Sequence, residues 1–157
     1  MVKALVMDVD GTLTDGGIYM GNSGECMKRF DVKDGYAIAK MLPQLSIVPI
    51  IITGRTSDIL KNRCEELNVK YVIQGCENKK VALMNLLTKL NITLDETAYI
   101  GDDLNDFDCM QIVGIKGCPS DSDEEIKKIC NYVCERKGGF GAVREFVTYI
   151  KKCNGFG

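Results

Sequence analysis

The sequence contains no histidine and no Cys-x-x-Cys pair. Without these groups the usual ligands of a structural zinc site are missing, so any metal in this protein would have to be held by oxygen atoms. Eight cysteines are present, but they lie inside periodic segments of a chain that is large enough to fold without a disulfide framework. We expect most of them to be small buried hydrophobic residues.

The sequence also lacks a large excess of charge of either sign, because it has 20 Lys and Arg residues and 22 Asp and Glu residues. Its longest basic clusters are pairs. This balance argues against a nucleic-acid groove or a membrane-binding face. No apolar run approaches the length of a membrane span, and the first residues lack the apolar core and cleavage site of a signal peptide. We therefore expect a cytoplasmic protein with no nucleic-acid or membrane partner.

Short β-rich runs alternate with segments of helical periodicity. Strands are predicted at 3–7, 48–52, 70–73, 97–100 and 114–116, and helices near 34–43, 57–67, 78–90, 104–112, 121–130 and 141–152. The predicted helix N-caps are Asp34, Ser57, Asn78 and Asp121. Such alternation predicts an α/β fold, a doubly wound parallel sheet whose ligands bind beyond the carboxyl ends of its strands.

The length of 157 residues and the hydrophobic content of 45% are typical of a single domain, which we expect to span 1–157. One stretch departs from the α/β alternation. Two short alternating runs, 18–20 and 25–29, surround the sequence Gly-Asn-Ser-Gly at 21–24. This pattern predicts a β-hairpin flap near 16–30.

Acidic residues follow two of the predicted strands. Asp8 and Asp10 are two residues apart, so their side chains point toward the same side, although an isolated Asp-x-Asp is more often a solvated loop. Asp102, Asp103 and Asp106 follow another strand and are expected to converge on the same edge. Unit charges 4 Å apart repel by about 4 kcal/mol at an effective dielectric constant near 20, so the cluster needs cations. Mg²⁺ suits carboxylate and phosphate oxygens.

Groups that suit a phosphate dianion are expected at the same edge. Arg55 and Lys79 follow two further strands and carry positive charge. Gly11 leaves room for main-chain amides to approach an oxyanion, and the hydroxyls of Thr12 and Thr53 can donate hydrogen bonds. Taken singly, each has an ordinary alternative: a turn glycine, a strand-to-helix junction or a surface lysine.

Together, the segments 8–14 and 52–55, Lys79 and the segment 101–106 resemble the four ordered motifs of the haloacid dehalogenase superfamily. The resemblance spans nearly the whole chain, and it implies a Rossmann-like haloacid dehalogenase core. In that family, an aspartate at the position of Asp8 is the nucleophile that forms an aspartyl phosphate. The aspartate at the position of Asp10 protonates the leaving alkoxide and later deprotonates water.

The resemblance also implies that Mg²⁺ is held by the Asp8 carboxylate, the Asp10 main-chain carbonyl and Asp102. By the same resemblance Thr53 and Lys79 would hold the transferring phosphoryl oxygens. The supporting residues would be Gly11, Thr12, Asp103 and Asp106.

Many relatives close the site with an inserted cap domain, but the segments 15–52 and 56–78 are too short to hold one. The site of one subunit should therefore be open, covered either by a large substrate or by a neighbouring subunit. The hairpin carries more apolar residues than a solvated ribbon would tolerate. We expect a homo-oligomer, a tetramer assembled through the hairpin; the alternative is a hairpin folded back on its own domain.

The chain resembles the capless, tetrameric family members that act on phosphorylated sugar acids. The matching features are the hairpin, residues 53–55, 74–75 and 78–79, and the tail 138–145. This likeness implies 3-deoxy-D-manno-octulosonate 8-phosphate as substrate, in lipopolysaccharide precursor synthesis, with a nonulosonate 9-phosphate as the alternative. The substrate carboxylate would be bound by Arg55 or Arg144, since guanidinium groups bind carboxylates in a bidentate fork. Arg55 is alternatively a structural ion-pair partner.

Two further alternatives come from other classes of protein. Receiver domains of signalling proteins also combine a five-stranded α/β fold with acidic residues, a threonine and a lysine. Their phosphoacceptor aspartate follows the third strand, where this sequence has Gln74 and Gly75. A catalytically silent regulatory subunit is the other alternative, and the full set of acidic and basic site residues argues against it.

Overall fold

The computed structural model describes residues 1–156. Within them the strands are β1 (Ala4–Met7), β2 (Tyr19–Gly21), β3 (Gly24–Met27), β4 (Val48–Ile52), β5 (Tyr71–Ile73), β6 (Thr97–Ile100), β7 (Ile115–Cys118) and β8 (Tyr132–Val133). The α-helices are α1 (Val32–Tyr36), α2 (Leu42–Gln44), α3 (Asp58–Glu66), α4 (Lys79–Leu90), α5 (Phe107–Ile112), α6 (Glu124–Ile129) and α7 (Ala142–Cys153). A π-helical segment, Ala37–Met41, joins α1 to α2, and 3₁₀ turns cover Leu94–Glu96 and Leu104–Asp106.

Six parallel strands form the main sheet in the order β5-β4-β1-β6-β7-β8. The central strand β1 is completely buried between β4 and β6. Its alternate residues face opposite sides of the sheet, so Leu5 and Met7 join one hydrophobic core while Ala4 and Val6 join the other. The first core is covered by α7 and α3, and the second by α4, α5 and α6. This arrangement confirms the predicted doubly wound sheet.

The five predicted strands are present, and the last of them extends to Cys118. Strand β8 was not predicted; it pairs with β7 through only two residues, Tyr132 and Val133. Two residues are too few to show the alternation of apolar and polar positions that marks a strand.

Two of the predicted N-caps are confirmed. The side chain of Ser57 accepts from the Leu60 amide at the start of α3, and that of Asn78 accepts from the Val81 amide at the start of α4. Asn78 therefore fixes the first turn of α4, where Lys79 is the first helical residue.

The prediction for Asp34 is wrong, because Asp31 caps α1 instead. Asp34 lies one turn inside the helix and is 2% exposed. Its Oδ1 accepts a hydrogen bond from the Arg144 amide at 2.8 Å, so it satisfies a free amide at the start of α7 rather than one in its own helix.

The prediction for Asp121 is also wrong, because the N-cap of α6 is Asp123. Asp121 Oδ1 accepts instead from the Gly138 amide at 3.0 Å. In both cases more than one aspartate lies near the start of the helix, and the sequence alone does not show which of them takes the capping conformation.

The predicted hairpin is confirmed by the antiparallel pairing of β2 with β3 and by a bridge between Thr14 and Phe30. Three apolar hairpin side chains are strongly exposed: Ile18 at 41%, Met20 at 64% and Met27 at 54%. Among residues 1–156 no element forms a cap domain over the carboxyl ends of the main strands. Among the same residues, no helix combines the length and apolar character needed to cross a membrane.

Candidate active site

A cavity of about 200 Å³ opens at the carboxyl ends of the central strands. It is lined by Asp8, Asp10, Thr53, Gly54, Arg55, Asp102, Asp103 and Asn105. The structure thus brings together six residues that the sequence placed at the site from three different strand ends. Of the other predicted residues, Lys79 donates to both Asp8 and Asp106, and Thr12 donates to Asp102.

The loop after β1 turns tightly over the cavity. The amides of Thr12, Leu13 and Thr14 all donate to the main-chain oxygen of Val9. Gly11 has φ +90, and a Cβ at this position would overlap the carboxylate of Asp102. Both the left-handed backbone and the close approach therefore require glycine. This requirement explains why the turn glycine belongs to the site.

Asp8 is held by a buried cluster of charges. Lys79 Nζ donates to Asp8 Oδ1 at 2.7 Å and to Asp106 Oδ1 at 2.9 Å. The Tyr99 hydroxyl also donates to Asp106 Oδ1, at 2.7 Å, and the Asp102 amide donates to Asp106 Oδ2 at 3.2 Å. Because Asp106 is fully buried and both of its oxygens are bonded, it fixes Lys79 rather than facing the cavity.

Burial and the nearby Asp106 charge raise the pKa of Asp8 to about 6, although Lys79 acts in the opposite direction. Burial disfavours the charged form of Lys79, but the carboxylates of Asp8 and Asp106 outweigh it and raise the Lys79 pKa to about 12. Lys79 therefore stays cationic at neutral pH and holds positive charge next to Asp8.

Asp102 completes an acidic group beside Asp8. Burial, followed by the negative charge of Asp8, raises the pKa of Asp102 to about 8. The Thr12 hydroxyl donates to Asp102 Oδ1 at 3.0 Å. Carboxylate oxygens of Asp8, Asp102 and Asp106 lie within 4.8 Å of one another, which is close enough to hold a metal ion. Asp8 and Asp102 suit this role better, since the oxygens of Asp106 already have protein partners.

Asp10 is bound to the hairpin. Lys28 Nζ donates to Asp10 Oδ1 at 2.7 Å and to Glu25 Oε2 at 3.1 Å. Arg55 contacts the same two carboxylates, with its NH2 group 3.2 Å from Glu25 Oε2 and its Nε 3.9 Å from Asp10 Oδ2. The Ser57 hydroxyl donates to Glu25 Oε1 at 3.2 Å.

Three residues of the site were not predicted: Glu25, Lys28 and Tyr99. Tyr99 had a usable signal, since a tyrosine in a predicted central strand needs a partner for its hydroxyl when it is buried. The two hairpin residues had no such signal, because charged residues are ordinary in a hairpin that faces solvent.

Arg55 and Arg144 are placed differently. Arg55 is on the rim of the Asp8 cavity, half exposed, and is already paired with Glu25. The structure does not bring Arg144 to that cavity. Its guanidinium stacks over Tyr36 at 5.2 Å and lines a separate cavity of about 430 Å³ with Arg136 and Lys152.

Comparisons with known proteins agree with this geometry. Residues 72–146 match the haloacid dehalogenase-like hydrolase family. Over 154 residues the sequence is 43% identical to the 3-deoxy-D-manno-octulosonate 8-phosphate phosphatase KdsC of Escherichia coli K12, covering 98% of this chain and 81% of that protein. The chain is a haloacid dehalogenase-like hydrolase. As a member of this family with phosphatases as relatives, it is a phosphoric monoester hydrolase, and the receiver-domain and silent-subunit alternatives no longer apply.

Solved structures show the same hydrolase fold. The crystal structure of 3-deoxy-D-manno-octulosonate 8-phosphate phosphatase from Yersinia pestis has a TM-score of 0.94 and 40% identity, over 99% of this chain and 83% of that chain. The Moraxella catarrhalis phosphatase, in complex with magnesium ion, phosphate ion and KDO, has a TM-score of 0.93 and 39% identity, over 99% and 89%. A cobalt-bound Haemophilus influenzae phosphatase has a TM-score of 0.94 and 35% identity, over 98% and 90%.

Proposed function

We propose that this hydrolase removes phosphate from 3-deoxy-D-manno-octulosonate 8-phosphate through an aspartyl-phosphate intermediate on Asp8, with Mg²⁺ as cofactor. The observation that supports the chemistry best is the position of Asp8, at a strand end beside Lys79 and facing the same cavity as Asp10. The proposed substrate is supported by relatives that are named for this activity. One of them is 43% identical to this chain over nearly its whole length.

In the first step an Asp8 carboxylate oxygen forms a bond to phosphorus while the bond to the sugar oxygen breaks. Asp10 gives its proton to that oxygen, so the sugar leaves as a neutral alcohol. In the second step Asp10 takes a proton from water, which attacks phosphorus and releases Asp8 as a carboxylate. In this proposal Lys79, which is bonded to Asp8, and the hydroxyl of Thr53, a residue that lines the cavity, stabilise the charge on the phosphoryl oxygens.

The acidic cluster fits a hard divalent cation. Asp8 is buried and Asp102 lies half-buried beside it. Partial burial and then the negative charge of Asp8 raise the Asp102 pKa, and a bound cation would oppose this effect. The Asp8 and Asp102 carboxylates and the Asp10 main-chain carbonyl would hold Mg²⁺. When bound, Mg²⁺ neutralises charge on the phosphoryl oxygens and offsets the repulsion between them and Asp8.

We propose that Arg55 recognises the substrate carboxylate from the rim of the cavity. Its guanidinium is half exposed and its free N–H groups remain available beside the pairing with Glu25. Specificity constants for the octulosonate 8-phosphate, a nonulosonate 9-phosphate and a neutral hexose 6-phosphate, measured in native and Arg55→Ala protein, test this assignment. We expect Arg55→Ala to lower kcat/KM for the two acids by roughly 10-fold or more, with little change for the neutral sugar.

Equal rates on the neutral sugar, or an equal loss with all three esters, would contradict recognition of a carboxylate. A native preference for the nine-carbon acid would favour the nonulosonate alternative. The predicted role of Arg144 at the substrate is not supported within one chain, because its guanidinium lines a different cavity.

We further propose a cytoplasmic homotetramer in which each chain is a single domain over 1–157. The exposed apolar side chains of the hairpin, Ile18, Met20 and Met27, support assembly through this element. A neighbouring subunit in this position would cover the open cavity. No cap domain within residues 1–156 does so.

A further inference from the structure

Among residues 1–156, Lys28 is the least exposed lysine side chain that makes an ion pair, at 2% relative exposure. Lysine is almost never buried to this extent unless it is paired. Here its ammonium group lies between Asp10 Oδ1 and Glu25 Oε2, at 2.7 and 3.1 Å. Both of these contacts are with protein carboxylates. A side chain so enclosed does not reach a ligand in the cavity, so any effect on the reaction has to pass through its partners.

The two oxygens of Asp10 have different surroundings. Oδ1 accepts from Lys28, whereas Oδ2 has only the long 3.9 Å approach of Arg55 Nε. Asp10 also lines the cavity with Asp8 and Asp102. The Lys28 contact therefore fixes the carboxylate in one orientation and leaves Oδ2 as the oxygen that can exchange a proton with the substrate.

Glu25 anchors this arrangement. Its Oε2 accepts from both Lys28 and Arg55, and its Oε1 accepts from the Ser57 hydroxyl at the start of α3. The positive charges of Lys28 and Arg55 balance the two carboxylates of this group. The group thus adds no net charge for an anionic substrate, and its contribution is geometric.

We infer that Lys28 is a positioning residue that holds Asp10 so that Oδ2 faces the leaving-group oxygen. The inference rests on the proposed role of Asp10 as the acid of the first step. It goes beyond the sequence motifs, because Lys28 belongs to the hairpin and to none of them. Through Lys28 and Glu25, the hairpin takes part in the geometry of the catalytic centre.

The leaving group distinguishes this role from a general structural one. A sugar alkoxide has to be protonated as it departs, whereas 4-nitrophenolate departs without a proton. We expect Lys28→Met to lower kcat/KM for an alkyl phosphate ester by roughly 10- to 100-fold and to change kcat/KM for 4-nitrophenyl phosphate by less than about 3-fold. The alkyl ester for this test is chosen from a panel of alkyl phosphate esters as the one that the native enzyme hydrolyses fastest. The test therefore does not depend on the octulosonate substrate.

Lys28→Arg keeps a cation within reach of Asp10 and is expected to restore most of the alkyl-ester activity. Lys33→Met is the matched control, because Lys33 is exposed on α1 and makes no ion pair with residues 1–156. In an Asp10→Asn background, Lys28→Met should cause no further change in the ratio of the two rates, since both changes act on one group. If Lys28→Met does not fold, Lys28→Gln takes its place.

Equal losses with the alkyl and aryl esters, an unchanged alkyl-ester rate, or additive losses in the Asp10→Asn background would each overturn the inference. The proposed substrate assignment is tested separately. It would be contradicted if the native enzyme hydrolysed the octulosonate 8-phosphate no faster than the other alkyl esters.

Discussion

Asp106 shows how single residues determine this site. A fully buried carboxylate is costly unless its oxygens are bonded, and here Lys79, Tyr99 and the Asp102 amide supply the partners. A Cβ on Gly101 would lie within 2.7 Å of three Asp106 side-chain atoms, so glycine is needed beside it. The cluster keeps Lys79 in place at the cost of a crowded interior.

The nucleophile can be tested with an isosteric change. Asp8→Asn preserves size, but an amide does not attack phosphorus and does not hold a metal as a carboxylate does. We expect phosphate release to fall by roughly 10⁴-fold or more, while circular dichroism shows an unchanged fold. Appreciable turnover by the folded variant would remove Asp8 from the nucleophile role.

Asp34 gives a prediction about stability. Burial raises its pKa to about 6, mainly because Oδ2 is enclosed without a hydrogen-bond partner in residues 1–156. The folded protein thus binds this proton more tightly than the unfolded chain, whose aspartate pKa is about 3.9. The stabilising effect of the proton is fully present below about pH 4, and it is lost as the pH rises through about 6.

Asp34→Asn keeps an oxygen for the Arg144 amide but carries no charge to bury. We expect the free energy of unfolding of the variant, relative to native protein, to rise by about 2 kcal/mol between pH 4 and pH 7. Urea unfolding of both proteins across this range measures the difference, and titration of all other groups cancels. A difference that does not change with pH would show that Asp34 does not titrate as described.

Among the elements, the hairpin combines two roles. Its charged residues Glu25 and Lys28 face the active site, whereas its apolar residues Met20 and Met27 are exposed. We expect apolar side chains that are exposed on a short two-stranded ribbon to contact another chain.

Met20→Ser combined with Met27→Ser should therefore weaken assembly without touching the catalytic residues. We expect sedimentation at micromolar concentration to show smaller species than the proposed tetramer, with activity reduced because the cavity is left open. Met84→Ser on α4 is the control, since Met84 is 46% exposed but lies outside the hairpin. A native protein that sediments as a fully active monomer would contradict assembly through the hairpin.

For the whole molecule, metal binding links the active site to stability. Asp8 and Asp102 extend from neighbouring strands, β1 and β6, and repel each other when both are ionised. A cation bound between them should stabilise the fold by about 2.7 kcal/mol at a concentration of 100 Kd, or several degrees in Tm.

Thermal unfolding with chelator and with Mg²⁺ measures this effect in native and Asp102→Asn protein. We expect Mg²⁺ to raise the Tm of native protein and restore its activity after chelation, while Asp102→Asn shows neither response. Full activity in a demonstrably metal-free sample would overturn the metal assignment.

The sequence by itself determined the alternation of strands and helices, because the two periodicities are local properties of the chain. It also determined which residues come together at the cavity, since the carboxyl ends of neighbouring parallel strands share one edge. Asp8 and Thr53 each follow a strand directly and Asp102 follows one residue later, so their convergence required only that the sheet be parallel.

Only the tertiary structure decided how the loops and helices meet at that edge. Lys28 reaches Asp10 across 18 positions, and Asp34 reaches the Arg144 amide across 110. Neither pairing leaves a periodic signal, because each depends on how one element packs against another. Arg144 lies away from the Asp8 cavity for the same reason. The direction of a side chain on α7 is set by the packing of that helix against α1 and the sheet.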